Sequence, residues 1–222
     1  MELYCLITIT ERDRRDLVAK IYQNAGTHLI LTKLGRGTAR DSHLSIYGLD
    51  ATEKAIVTTV ASGPQSAQIF KAAKRQLFID IPGNGIMLAV PLKSVAGGRT
   101  LSYLTDCEKS GGVPKMSFNH ELIVVIMNEG HSDDVMDAAR AAGAGGGTVL
   151  HAKGTAGSRD EHFFGVSLAN EKDLVYIVAH ADEKSAIMKS INEKAGPDTR
   201  AGAICFSLPI SEVVGLRARD TE

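Results

Sequence analysis

An α+β fold, built as two consecutive β-α-β-β-α-β units with antiparallel sheets, is predicted by three observations. The loop Gly37-Thr38-Ala39-Arg40-Asp41-Ser42-His43 returns about 117 positions later as Gly154-Thr155-Ala156-Gly157-Ser158-Arg159-Asp160-Glu161-His162. Each copy follows a β-branched run and leads into a second apolar run, Ala55–Ala61 in one half and Asp173–His180 in the other. The 222 residues accommodate two such units, of roughly 95–100 residues each, large enough to bury a core without staples. A period of this length exceeds that of a solenoid, so each copy needs a core of its own.

In the first half, Leu3–Thr10 is β-branched and reads as a strand. Arg12–Asn24 sets Leu17, Val18, Ile21 and Tyr22 on one helical face, with Gly26 as the stop. Thr27–Leu34 is the second strand, Gly35–Asp41 a loop, and Leu44–Leu49 extends a hairpin into the strand Ala55–Ala61. Ser62-Gly63-Pro64 opens a helix whose inner face carries Ile69, Phe70, Ala73 and Leu77, since proline suits a first turn. Pro82-Gly83-Asn84-Gly85 turns the chain into a last strand, Ile86–Val90, before Pro91.

The second half repeats this order. Glu121–Met127 is a strand, and Ser132 with Asp133 starts a helix bearing Val135, Met136, Ala139 and Ala142. Gly147–Lys153 and Leu174–His180 flank the repeated loop. Asp182 caps a helix carrying Ala186, Ile187 and Ile191, and Ala203–Leu208 closes the unit before Pro209. The doubled β-α-β is the ferredoxin-like pattern, a four-stranded sheet with both helices on one face. Leu122–Met127 and Leu174–Ala179 are apolar on both faces, so the other face of the sheet must also be covered. The division is domain 1 at 1–97, a Gly-, Ser- and Lys-rich linker at 98–119, and domain 2 at 120–217.

Composition narrows the function classes. A formal net charge of −1 with interspersed signs gives no reason to expect nucleic acid as a partner. Cys5, Cys107 and Cys205 form an odd, unpatterned set, which argues against a disulfide framework and for a reducing cytoplasm. The seven histidines match no compact zinc spacing, and no serine, cysteine or threonine stands in an elbow or triad context. The expectation is therefore no metal site and no catalytic residue.

Three features remain for binding. Gly35-Arg36-Gly37-Thr38 has closely spaced glycines whose N–H groups can converge on an anion, with Arg36 adding charge. Lys153-Gly154-Thr155 keeps the basic–Gly–Thr order, and a plain β-turn is the competing reading. Gly83-Asn84-Gly85 is a second glycine loop towards the same end of a β-α-β-β-α-β sheet, although Asn-Gly also marks an ordinary hairpin. Its counterpart, Pro197–Gly202, keeps Gly202 and gains Arg200. The repeated Arg-Asp-x-His, at Arg40, Asp41 and His43 and again at Arg159, Asp160 and His162, offers a clamp or partner contact. A loop-stabilising ion pair explains it equally simply.

These features together resemble the PII family of signalling proteins. The resemblance rests on Leu34-Gly35-Arg36-Gly37 after strand two, Gly83-Asn84-Gly85, and Pro91-Leu92-Lys93-Ser94-Val95, echoed by Leu208-Pro209-Ile210-Ser211-Glu212-Val213-Val214. It covers both halves except the connector. It implies a non-enzymatic homo-oligomer, a trimer of two-domain chains, that needs no cofactor. Such a protein binds an adenine nucleotide (ATP, ADP or AMP) at inter-domain clefts and regulates a partner, such as a membrane transporter or a metabolic enzyme. By resemblance, Gly35, Arg36, Gly37 and Thr38 form the loop base, and Gly83, Asn84 and Gly85 the phosphate turn. Lys153, Gly154, Thr155 and Gly202 are their less secure second copies.

The departures also carry information. Ala39 and Ala156 stand where the family has a glutamine, and Ile86 and Ala203 where it has a lysine, so 2-oxoglutarate sensing is not expected. The two loops are short and the second lacks a tyrosine, which argues against covalent nucleotidylation. The alternatives are an ACT-like amino-acid sensor, with the same element order, and a CutA-like trimeric metal-handling protein using His and Cys.

Overall fold

The computed structural model describes residues 2–38, 53–81, 83–93, 118–153, 162–163, 166–167 and 171–216. Contacts gather into two compact units: Met1–Leu34, Glu53–His120 and Pro209–Glu222 in the first, Gly35–Thr52 and Glu121–Leu208 in the second. The fold is α+β with antiparallel pairing, and the described residues form four α-helices.

Unit 1 contains β1 (Leu3–Glu11), a 3-10 turn (Arg12–Arg14), α1 (Arg15–Asn24), β2 (Ile30–Gly37), β3 (Glu53–Ser62), α2 (Gly63–Gln76) and β4 (Ile86–Pro91). The last residues of β2 belong to unit 2. The strand order is β2-β3-β1-β4. β1 pairs with β3 from Leu3↔Ser62 to Glu11↔Lys54, and with β4 from Tyr4↔Pro91 to Ile9↔Ile86. This register puts the turn before β4 beside the C-terminal end of β1. The core joins Leu6, Val57 and Met87 of the sheet to Val18 and Ile21 of α1 and Ile69 and Phe70 of α2. Tyr22 is fully buried yet satisfied, its hydroxyl 2.6 Å from that of Thr8. Burial pushes its phenol well above the ordinary range, and the Thr8 bond works in the opposite sense.

Local signals set the ends of α2. Ser62 accepts from the Gln65 N–H while the Gln65 side chain accepts from the Ser62 N–H, and Pro64 sits in the first turn. This capping box coincides with the helix start read from the sequence.

Unit 2 repeats the design with β5 (His120–Asn128), α3 (Ser132–Arg140), β6 (Thr148–Lys153), β9 (Glu171–His180), α4 (Lys184–Ala195) and β10 (Ile204–Ile210). The order is β10-β5-β9-β6. Two short strands, β7 (His162–Phe163) and β8 (Val166–Ser167), form a separate pair. The core packs Ile123, Val125 and Met127 against Val135 and Met136 of α3 and Ile187 and Ile191 of α4. Glycine is required at Gly147, where a Cβ would stand 2.9 Å from both Met136 Sδ and Val175 Cγ1. The final strand, β11 (Glu212–Val214), belongs to unit 1 and pairs with the outer edge of β4.

Several boundaries differ from the sequence expectation. Gly35–Gly37 are strand, not loop, because Arg36 and Gly37 find partners in Val149 and Thr148 of β6. Asp182 does not cap α4. The helix starts at Lys184 after Glu183, whose carboxylate accepts the His180 N–H at 3.3 Å. β10 continues through Pro209, which an edge strand tolerates. Leu17 and Ala186 are exposed rather than core-facing. Leu44–Leu49 and most of the connector lie outside the described residues.

Candidate functional site

The turn before β4 is built by backbone freedom. Gly83 and Gly85 have φ of +101° and +131°, a region closed to most side chains. A Cβ on Gly85 would stand 2.5 Å from the Ile9 carbonyl oxygen, so the turn is pressed onto β1. At Gly83 nothing lies within 4 Å of the side-chain position, and that side of the turn is open. Asn84 holds the loop in shape. Its side chain donates to the Phe78 carbonyl at 2.9 Å, its N–H to the Ile81 carbonyl at 3.2 Å, and its own carbonyl accepts from Thr10 Oγ1. Phe78 has a φ of +50°, costly for an aromatic residue, and its ring is 58% exposed. The Phe78 conformation had no signal in the sequence.

The corresponding turn of unit 2 is closed by other means. Gly202 has a φ of +56°, and its N–H donates to the Thr199 carbonyl. Asn128 donates to the Arg200 carbonyl at 2.9 Å and accepts from Lys172 Nζ at 2.6 Å. Ala203 is buried, and its N–H is bonded to the Ala195 carbonyl at the end of α4.

Gly35, Arg36, Gly37 and Thr38 lie within unit 2 and are engaged there. Arg36 donates to the buried Ser132 hydroxyl at 2.7 Å. Thr38 grips Gly147, its N–H and hydroxyl donating to the Gly147 carbonyl and its hydroxyl accepting the Gly147 N–H at 2.8 Å. Arg140 donates to the Thr38 carbonyl. This anchors the loop base to the start of α3 and the start of β6. Lys153 lies 3.2 Å from Glu171, an exposed pair of small energetic weight. Gly154, Thr155, Arg40, Asp41, His43, Arg159 and Asp160 lie outside the described residues, and of His162 only its place in β7 is described.

One polar group was overlooked in the sequence. Asp173, 1% exposed, accepts the Gly130 N–H through Oδ2 at 3.0 Å and faces His151 across the β6–β9 rung. Oδ1 lies 2.6 Å from His151 Nδ1 without the alignment of a hydrogen bond. A charged residue inside the apolar run of β9 was the available signal. Among the described residues no group of three or more His, Cys, Asp or Glu is placed to hold a metal, and no helix is long and apolar enough to cross a membrane.

Comparison with known proteins bears on the family. The family model for nitrogen regulatory protein P-II matches residues 120–220. A comparison with curated proteins gives no match. Among solved structures, the B. subtilis GlnK–ATP complex aligns at 18% identity and a TM-score of 0.35, over 45% of this chain and 91% of that one. B. subtilis GlnK without the stated ligand aligns at 16% identity and a TM-score of 0.32, over 45% and 93%. A microcompartment protein from Desulfitobacterium hafniense aligns at 13% identity and a TM-score of 0.29, over 96% of both chains. TM-scores of this size carry no weight for the fold, so the assignment rests on the domain model. That match covers less than half of the chain: residues 120–220, in the second half, are similar to a P-II domain.

Proposed function

We propose that the two units are tandem ferredoxin-like domains, divided near 1–97 and 120–217, of a non-enzymatic signalling protein. In this reading the turn Gly83-Asn84-Gly85 binds a small anionic metabolite, an adenine nucleotide by family likeness. Binding then changes the affinity for a regulated protein partner, a transporter or a metabolic enzyme, in the cytoplasm.

The observation that carries this reading is the turn itself. Two glycines at positive φ follow one another around Asn84, at the end of β1 and with an open side at Gly83. Backbone N–H groups in such loops suit phosphate oxygens, and no side chain crowds the approach at Gly83. Arg36 and Thr38 are then positioning residues, since their polar atoms already serve Ser132 and Gly147. A partner response also requires the nucleotide to favour one loop state over another.

The test is a thermal-shift and calorimetric panel of ATP, ADP, AMP, 2-oxoglutarate, amino acids and divalent metals on the full chain. A nucleotide at a hundredfold excess over Kd stabilises by about 2.7 kcal/mol. Binding of amino acids alone, or of metals alone, would instead favour the ACT-like or the CutA-like reading.

A further inference from the structure

At the end of unit 1 away from the Gly83–Gly85 turn, a cleft of about 100 Å³ lies between the start of α2, the start of β1 and the residues leading into β11. Its polar atoms are unevenly partnered. Tyr4, 6% exposed, donates its hydroxyl proton to Glu2 Oε2 at 2.8 Å, and Ser211 Oγ donates to the Ala89 carbonyl at 3.0 Å. Ser66 also lines the cleft and is 5% exposed, yet among the described residues its hydroxyl has no hydrogen-bond partner. A buried hydroxyl in this state costs free energy that a ligand bonded to it recovers.

The cleft suits a hydrogen-bond donor. The N–H groups at the start of α2 are already taken: Gly63 donates to the Glu2 carbonyl, Gln65 to Ser62 Oγ, and Pro64 has none. An anion therefore finds no free donor at this helix end. Tyr4 and Ser211 have committed their protons, so their oxygens still offer only lone pairs. Glu212, which also lines the cleft, adds a carboxylate. Burial, with Glu2 and Glu212 acting in the same sense, pushes the Tyr4 phenol up to about 12. Lys74 acts on Glu212 but, among the described residues, forms no ion pair with it. Ala67, Ala89 and the Tyr4 ring give the cleft apolar walls. Gly63 leaves room beside them, since a Cβ there would meet nothing nearer than Tyr4 Cε2 at 3.9 Å. A bare divalent metal lacks its ligands, because no described group of three His, Cys, Asp or Glu is placed to hold one.

We propose that this cleft is a binding site for a protonated primary alkylamine. The ammonium head uses the Glu212 carboxylate, the Tyr4 oxygen and the Ser66 hydroxyl as acceptors, and a chain of a few carbons lies along Ala67 and Ala89. An ammonium group carries three donors and no acceptor, which matches this set. The same head and chain occur in a free amine and in a lysine side chain, so both sources are tested. The site is separate from the Gly83–Gly85 turn and does not depend on nucleotide binding there.

The experiment titrates the full chain with butylamine and with Nα-acetyl-lysine methylamide, following the backbone amide signals of Gly63 and Ser66. Butanol and potassium chloride are the uncharged and inorganic controls. Saturable shifts with at least one amine and with neither control are expected, and the tighter ligand identifies the source. Glu212→Gln removes a charge-assisted bond and is expected to weaken binding by about tenfold. Ser66→Ala is expected to weaken binding while leaving the urea midpoint of the ligand-free chain unchanged or raised, because the hydroxyl has no partner to lose. Ala67→Phe, at an exposed helix position, fills the cleft and is expected to abolish the response. Absence of saturation with both amines would overturn the proposal, as would an equal response to butanol or potassium chloride. So would a Ser66→Ala chain that loses stability and binds the amine as before.

Discussion

The turns before β4 and before β10 occupy the same place in their units, yet they are held by opposite means. The first depends on glycine geometry, with Gly85 so close to β1 that a Cβ would stand 2.5 Å from the Ile9 carbonyl oxygen. In the second, β10 starts at Ile204 as β4 starts at Ile86, so Ala203 stands in the place of Gly85 and not, as the sequence comparison had it, of Ile86. It is buried and bonded to the end of α4, and the turn's remaining polar groups are tied by Asn128 and Lys172. A turn shaped by backbone freedom leaves one side clear for a ligand. A turn filled by side-chain bonds is a structural joint. The difference separates a candidate binding half from a scaffolding half.

Substitutions at the two turns give the largest contrast. Gly85→Ala adds both a disfavoured φ and a backbone clash, and is expected to destabilise the chain by about 3 kcal/mol. The reverse change, Ala203→Gly, costs only about 1 kcal/mol from added unfolded-state freedom. Urea unfolding measures both, and equal losses would remove the contrast. Next comes Asp173→Ala, which removes the buried partner of the Gly130 N–H and a cross-strand contact to His151. It is expected to cost about 2 kcal/mol, whereas unit 1 has no such dependence because Ala55 lies at the corresponding point of β3. Tyr22→Phe removes the contact between the Tyr22 hydroxyl of α1 and the buried hydroxyl of Thr8, for about 1 kcal/mol. A loss below experimental error there would mean that the two hydroxyls add nothing to unit 1.

The smallest expected effect is a pH dependence at the covered edge of unit 1. Burial raises the carboxyl of Glu212, and Lys74 partly opposes the shift. A raised carboxyl favours its neutral form in the folded chain. Its stabilising contribution is therefore full below the unfolded-state value and is lost as pH rises through the folded one. Glu212→Gln should flatten that part of the stability profile. An unchanged profile would assign the dependence to another group.

Much of the fold was legible because its signals are local. The Ser62-Gly63-Pro64 start of α2, the Gly26 stop and the apolar run Ala55–Ala61 of β3 each specify one element without help from the rest of the chain. What escaped depended on distant partners. Gly35–Gly37 read as a loop until β6 supplied backbone partners, and the bonds of Arg36 to Ser132 and of Thr38 to Gly147 likewise join residues far apart in the chain. Gly147 itself carried no motif, since its need for glycine comes from Met136 and Val175 packed beside it. The Gly83–Gly85 turn was legible for the opposite reason, because its geometry is set by its own residues.

The most direct test of the central claim is a nucleotide titration followed by the backbone amide signals of both turns. Saturable shifts at Gly83, Asn84 and Gly85 with ATP, ADP or AMP, and none at Gly202, are the predicted result. Saturable shifts confined to Gly202, or none at either turn with any of the three, would contradict it.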